Sequence, residues 1–333
     1  MAKLSVWVGC WALVVCAACG SKQPGSAPAE SPVPELRLSA ETDAPALFLG
    51  AEPESPVVGF LGADVLLELA GPSEAGRVPV RIRGALWTRG FVPEELLVLR
   101  AQRAGRVRGT PLFLGPNDAV NVLGPGDKEG RLRVRAAPRI PGVKLAAFEG
   151  TFPAVGLAAA RAASAEELPQ GEAFELPAHT ALALHEKPDG KKEFELAAAE
   201  APLPLRVLSN ADGWAAVRVG TGPYLVGYTN AALARSEGMR SEGVTTPEPA
   251  APAPSPDGLP TRLAKESGTL KRVAAGTKVS FGEKVIARLH DAGLARVLAT
   301  YPSGEVDALI AVNDEVTVRG LVREADLSPY SAP

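Results

Sequence analysis

Asn210-Ala211-Asp212-Gly213-Trp214-Ala215-Ala216-Val217-Arg218-Val219 leads through Gly220-Thr221-Gly222-Pro223 into Tyr224-Leu225-Val226-Gly227-Tyr228-Thr229, and on to Leu233. Asp212-Gly213 suits a two-residue hairpin turn, whose central residues need positive φ. Apolar residues alternate on both sides of the turn, which places them on one face of each strand. The stretch predicts a β-hairpin that ends on a glycine, an aromatic residue and a closing Leu.

Working outward, similar endings recur. Gly90-Phe91-Val92-Pro93-Glu94-Glu95-Leu96 and Gly320-Leu321-Val322-Arg323-Glu324-Ala325-Asp326-Leu327 repeat the order glycine, bulky apolar residue, β-branched residue and terminal Leu. Upstream, Thr110-Pro111-Leu112-Phe113-Leu114, Thr180-Ala181-Leu182-Ala183-Leu184 and Thr277-Lys278-Val279-Ser280-Phe281 share Thr-x-apolar-x-apolar. Leu47-Phe48-Leu49-Gly50 returns as Leu112-Phe113-Leu114-Gly115, an offset of 65, and Gly84 and Gly90 match Gly150 and Gly156, an offset of 66. With Gly156 as the marker of the second copy, four units are expected, at 40–103, 105–165, 170–236 and 263–330. The 34 Gly and 31 Pro, many set singly between short apolar runs, punctuate strands with turns and predict an all-β body. A Pro-rich stretch over 243–262 reads as a semi-stiff linker before the last unit.

The turn, the Gly-Trp pair, the alternating apolar positions and the closing Gly-aromatic-Thr with Leu233 resemble a bacterial Src-homology-3-like (SH3-like) domain. That resemblance implies a small, partly open barrel of about five short strands, repeated in tandem. The third unit carries it most fully. The first has Leu86-Trp87-Thr88-Arg89-Gly90, with its Trp nearer the end, and the second and fourth lack the Trp.

At the N-terminus, Lys3 precedes an apolar run from Leu4 to Val15, then Cys16-Ala17-Ala18-Cys19-Gly20-Ser21. The run has the form of a secretory signal and is shorter than the ~17–25 residues of a membrane-spanning helix. Ala17-Ala18-Cys19 resembles the lipobox of bacterial lipoproteins, with Cys16 where Leu is usual. That resemblance implies cleavage after a signal peptide at 1–18 and lipidation of Cys19. The three Cys are at 10, 16 and 19, so the mature chain would keep one thiol, already capped. Residues 19–39, rich in Ser, Pro, Ala and Gly, read as a disordered tether. The same resemblance implies that Gly20, following Cys19 where an Asp would retain a lipoprotein at the inner membrane, favours the outer membrane of the cell envelope.

Net charge is −3, with 46% hydrophobic residues, so a core is affordable and no basic face for nucleic acid is expected. His179, His185 and His290 are the only histidines. They lie in no His-Glu-x-x-His pattern, so neither metal nor other cofactor is expected. No phosphate loop or nucleophile elbow occurs. Asp118, Asp189, Asp314 and Glu315 sit in turn-like contexts. Arg77, Arg81, Arg83, Arg131, Arg133 and Arg135 alternate along strands. They read either as edge protection or as a basic stripe for an anionic wall polymer. Trp214, Tyr224 and Tyr228 form the one candidate ligand-binding cluster, with a core plug as the other reading of Trp214. The expectation is a non-enzymatic envelope lipoprotein acting as a scaffold or binding array. Its partners would be the membrane, through the lipid, and wall peptide, glycan (peptidoglycan) or an envelope protein. The alternative is an envelope hydrolase with an unrecognised site.

Overall fold

The structure is a computed structural model that describes residues 35–37, 45–62, 65–128, 130–162, 171–233 and 260–330. The expected signal peptide, Cys19, most of the tether and nearly all of the Pro-rich linker lie outside the described residues. Within them the regular secondary structure is almost wholly strand, with turns between, as the turn-punctuated sequence predicts. The expected tether ends early, because Glu35–Arg37 is a strand whose Leu36 is buried.

The strands run in chain order as follows. The first group is β1 (Glu35–Arg37), β2 (Ala46–Phe48), β3 (Val57–Leu61), β4 (Leu66–Leu69), β5 (Arg77–Ile82) and β6 (Leu86–Pro93). The second is β7 (Val98–Ala101), β8 (Gly105–Arg106), β9 (Leu112–Leu114), β10 (Ala119–Pro125), β11 (Arg131–Ala136), β12 (Phe148–Pro153) and β13 (Leu157–Ala158). The third is β14 (Glu172–Leu176), β15 (Leu182–His185), β16 (Lys192–Leu196), β17 (Leu203–Ala211), β18 (Trp214–Val219) and β19 (Tyr224–Asn230). A short helix α1 (Thr261–Lys265) precedes β20 (Thr269–Val273), β21 (Lys278–Phe281), β22 (Lys284–Leu289), β23 (Gly293–Thr300), β24 (Glu305–Ala311), β25 (Val316–Arg323) and β26 (Leu327–Pro329). Side chains alternate as period two requires. In β5, Val78, Val80 and Ile82 are buried while Arg77, Pro79 and Arg81 face outward.

One local arrangement recurs four times among the described residues. The backbone N–H of Glu94, Ala154, Ala231 and Glu324 donates to the carbonyl of Gly76, Gly130, Gly213 and Gly304, at 3.0, 2.9, 2.9 and 2.8 Å. Each donor lies four residues after a strand glycine: Gly90, Gly150, Gly227 and Gly320. The residue after each glycine pairs with an upstream hairpin, as Phe91 with Phe48, Thr151 with Arg108, Tyr228 with His185 and Leu321 with Ser280. The glycine is needed because a side chain would strike that hairpin. A Cβ on Gly320 would sit 2.5 Å from the Ser280 carbonyl, and one on Gly90 would sit 2.7 Å from that of Phe48. In the second group Gly150 fills this place, and Gly156 lies in the following 3-10 turn. The phase expected from Gly156 is therefore late by six residues. Composition hid this, since Gly84, Gly90, Gly150 and Gly156 are all glycines at matching intervals.

Strand pairing crosses the expected unit boundaries. The first and last groups share a single 13-stranded sheet. Within it, β3 pairs with β25 (Gly59 with Val318, Leu61 with Val316), and β22 pairs with β6 (Ala287 with Thr88, Leu289 with Leu86). With β2–β3, β21–β22, β2–β6 and β21–β25 also paired, six strands close a ring: β2, β3, β25, β21, β22, β6. The two halves mirror each other in detail. Gly62 N–H donates to the Glu315 carbonyl, and His290 N–H donates to that of Ala85, at 2.6 and 2.8 Å. Leu47, Val58, Leu61, Val279, Ala287 and Val318 are fully buried there.

The middle groups make a five-stranded sheet, β12-β11-β10-β7-β13, and an eight-stranded sheet around β14-β17-β18-β19-β15-β16. β7, expected in the first unit, pairs with β10 and β13 of the second. β9 pairs with β19 of the third, Leu112 with Leu225 and Phe113 with Tyr224. On the reciprocal side Phe148 meets Phe194 edge-on, centroids 5.3 Å apart. The exchange has a physical reason. Each hairpin leaves one apolar edge unpaired, and a neighbour's strand satisfies its backbone groups.

Candidate functional site

The β17–β18 hairpin turns on Asp212 (φ 49°) and Gly213 (φ 81°), the geometry its sequence specifies. Ala215, Val217 and Val219 enter the core. Trp214, Ala216 and Arg218 therefore face outward, together with Tyr224, Val226 and Tyr228 on the neighbouring strand. Trp214 is half-buried on this outer face, so it is not the core plug.

The tip of the β15–β16 hairpin fixes the indole. Trp214 Nε1 donates to Asp189 Oδ1 at 3.2 Å, and the His185 ring meets the indole edge-on with centroids 4.9 Å apart. His185 Nδ1 in turn lies 2.8 Å from the Gly190 carbonyl. Tyr228 sits opposite Ala216, diagonal to Trp214, and pairs with His185. Trp214 and Tyr228 are thus brought together with His185 and Asp189, two residues whose sequence context marked only a strand end and a turn.

Tyr224 lies apart. Four residues along an extended strand separate it from Tyr228, about 13 Å. Its ring lies 4.7 Å beneath the Arg218 guanidinium, and burial pushes its hydroxyl above the ordinary range. Burial also lowers Arg218, whose Nε and Nη1 are buried without a hydrogen-bond partner. Near this end Asp118 accepts from the Gly115 N–H at 2.6 Å, and Gly222 packs against its carboxylate. Burial raises the Asp118 carboxyl to about 6, against the Gly115 hydrogen bond and Arg139, which both lower it. The carboxylate faces backbone, so its geometry is that of a turn packed between two sheets.

Five of the six arginines of the stripe are engaged internally, three of them by carboxylates. Arg77 reaches the Gly50 and Pro53 carbonyls and covers the Phe48 ring at 3.7 Å. Arg83 pairs with Glu68 at 3.1 Å, Arg131 bonds Thr151, Arg133 meets Glu149, and Arg135 bridges Glu94 and Glu149. Arg81 alone of the six makes no such bond among the described residues. Asp314 and Glu315 lie in the turn between β24 and β25, where Glu315 N–H donates to Asn313 Oδ1 at 3.1 Å. His179 and His290 lie far apart in the pairing order. Among the described residues no three His, Cys, Asp or Glu gather as metal ligands, and no helix is long and apolar enough to cross a membrane.

Two grooves flank the six-stranded ring and correspond to each other across its two halves. One, about 330 Å³, lies between Arg89–Phe91 of β6, Pro79–Arg81 of β5 and Lys284–Ile286 of β22. The other, about 470 Å³, lies between Arg319–Leu321 of β25, Asp307 of β24 and Pro56–Val57 at the start of β3. Exposed apolar side chains gather at them: Val285 at the first, and Val57, Phe281 and Tyr301 at the second. Sequence reasoning missed both, because each joins segments from the first and last groups of strands, which lie far apart in the chain. No family model, curated protein or solved structure matches this chain.

Proposed function

We propose that this chain is a non-enzymatic lipoprotein of the bacterial cell envelope. Lipid on Cys19 would hold it to the outer membrane, and its β modules would act as a scaffold or binding array for wall peptide, glycan or a partner protein. The observation that carries the reading is the outward Trp214–Tyr228 face, with the indole oriented by Asp189 and His185. An aromatic face held in place and left half-exposed suits a sugar ring or a peptide side chain, because little entropy is lost on contact.

The SH3-like resemblance is supported by the last group. Its strands follow β21-β25-β24-β23-β20-β26, with a 3-10 turn at Glu324–Asp326 before the final strand. The four recurrent glycine-to-turn hydrogen bonds support reading the other groups as degenerate copies. The hydrolase alternative calls for a perturbed acid in a cleft. Asp118, the raised carboxyl, lines neither groove flanking the ring.

Co-sedimentation with purified wall sacculi and pull-down from envelope fractions test the reading. Wild type is expected to be retained and Trp214→Ala to lose most of that retention. Equal retention of the two proteins would remove Trp214 from any binding role and leave a structural spacer.

A further inference from the structure

We propose that the groove between β5, β6 and β22 binds an extended acidic peptide. One apolar side chain of the peptide would seat between Leu49, Phe91 and Ile286, and a flanking carboxylate would be held by Arg81 and Arg89. This site is separate from the Trp214 face and stands independently of it.

The carrying observation is a like-charge pair. Arg81 and Arg89 are direct register partners across β5 and β6. Like charges directly opposite each other destabilise a sheet. Neither side chain makes an ion pair or hydrogen bond among the described residues, and neither does that of Lys284 on the same rim. Glu68, opposite Arg81 on β4, is engaged by Arg83.

None of the three corresponding positions sets like charges opposite each other. Before Gly150, Glu149 faces Arg135 and bonds it at 2.7 Å. Before Gly227, Val226 faces Arg218. Before Gly320, Arg319 faces Leu309 and bonds Asp307 at 2.9 Å. Asp307 stands opposite Leu321 as Pro79 stands opposite Phe91. The twin groove thus carries its own carboxylate where this one has Pro79. The same shape is kept with the anion left out.

The walls select the form of the ligand. β22 pairs with β6 only through Ala287–Leu289, and β6 then turns to pair with β2 at Phe91. The groove is the fork between the diverging strands, a shape that admits an extended backbone. Its volume lies near the lower bound of ligand sites, enough for one apolar side chain and its flanks.

The test uses the full chain in phosphatidylcholine nanodiscs and a fluorescein-labelled hexapeptide alternating Leu and Glu, followed by anisotropy at low salt. Saturable binding is expected. It should weaken about tenfold when Gln replaces Glu in the peptide, and about as much in Arg81→Ser/Arg89→Ser. Arg319→Ser in the twin groove should leave affinity within about twofold. Should the double variant fail to fold, Lys284→Gln carries the same test, with a loss of about threefold. No saturable binding, equal affinity for the Gln peptide, or full affinity in the groove variants would overturn the proposal. Binding of sodium octanoate without the peptide would assign the walls to a fatty acid and overturn it too. Trp214→Ala should keep this affinity, which separates failure here from failure of the wall-binding reading.

Discussion

The Thr88 hydroxyl donates a 2.8 Å hydrogen bond to the carbonyl of Ile286, a residue 198 positions later, and both residues are buried. The bond joins the first and last groups of strands inside the ring. Thr88→Val keeps the shape and removes the donor. Leaving a buried carbonyl without this partner should cost about 1–2 kcal/mol, read by urea denaturation. An unchanged midpoint would mean that the two groups do not meet in solution.

Gly150 and Gly156 separate the observed phase of the second group from the one its sequence suggests. A Cβ on Gly150 would run into the Arg108 carbonyl, which is backbone and cannot move cheaply. On Gly156 the nearest atom is a ring carbon of Phe152 at 3.0 Å, which can shift. Gly150→Ala should therefore cost about 2–3 kcal/mol and Gly156→Ala about 1 kcal/mol or less. The reverse order would restore the sequence-based phase.

These two glycines show how far the sequence was legible. The hairpin at Asp212-Gly213, the all-β class and the strand-glycine-turn ending were readable, because turn chemistry and period-two alternation act locally. The exchange of hairpins was not. Leu61 against Val316 and Leu289 against Leu86 are contacts between apolar strands that look alike, and alternation fixes a face but names no partner. The aromatic cluster was half legible. Trp214 and Tyr228 share one end of the outer face because they are diagonal across one hairpin. Tyr224 belongs to the other end, a distance that strand register sets and composition hides.

Asp118 should make stability depend on pH. Its carboxyl is raised from 3.8 to about 6, so the folded state holds a proton that the unfolded chain has lost between those values. Stability from this group is full below about pH 4, declines as pH rises and levels off above about 6.5. The loss is of order 2–3 kcal/mol. Asp118→Asn keeps an acceptor for the Gly115 N–H and has no charge to bury. It should be more stable than wild type at pH 7.5 and equal to it near pH 4, measured by urea midpoints across that range. A constant difference at both pH values would contradict the burial of this carboxyl.

Cys19 lies outside the described residues, and its role rests on the signal-like sequence before it. Palmitate labelling of expressing cells should mark the wild-type chain and leave Cys19→Ala unmarked. Label that persists in the variant would remove the lipid anchor from the account.

The closed ring is the feature from which both grooves derive. Nuclear Overhauser contacts in the intact, deuterated chain test it most directly. Backbone protons of Phe60 and Thr317 should show cross-strand contacts, and so should those of Trp87 and Arg288, since both are register partners. Contacts confined to neighbours within each group, with both of these pairs silent, would show separate modules and leave the grooves unbuilt.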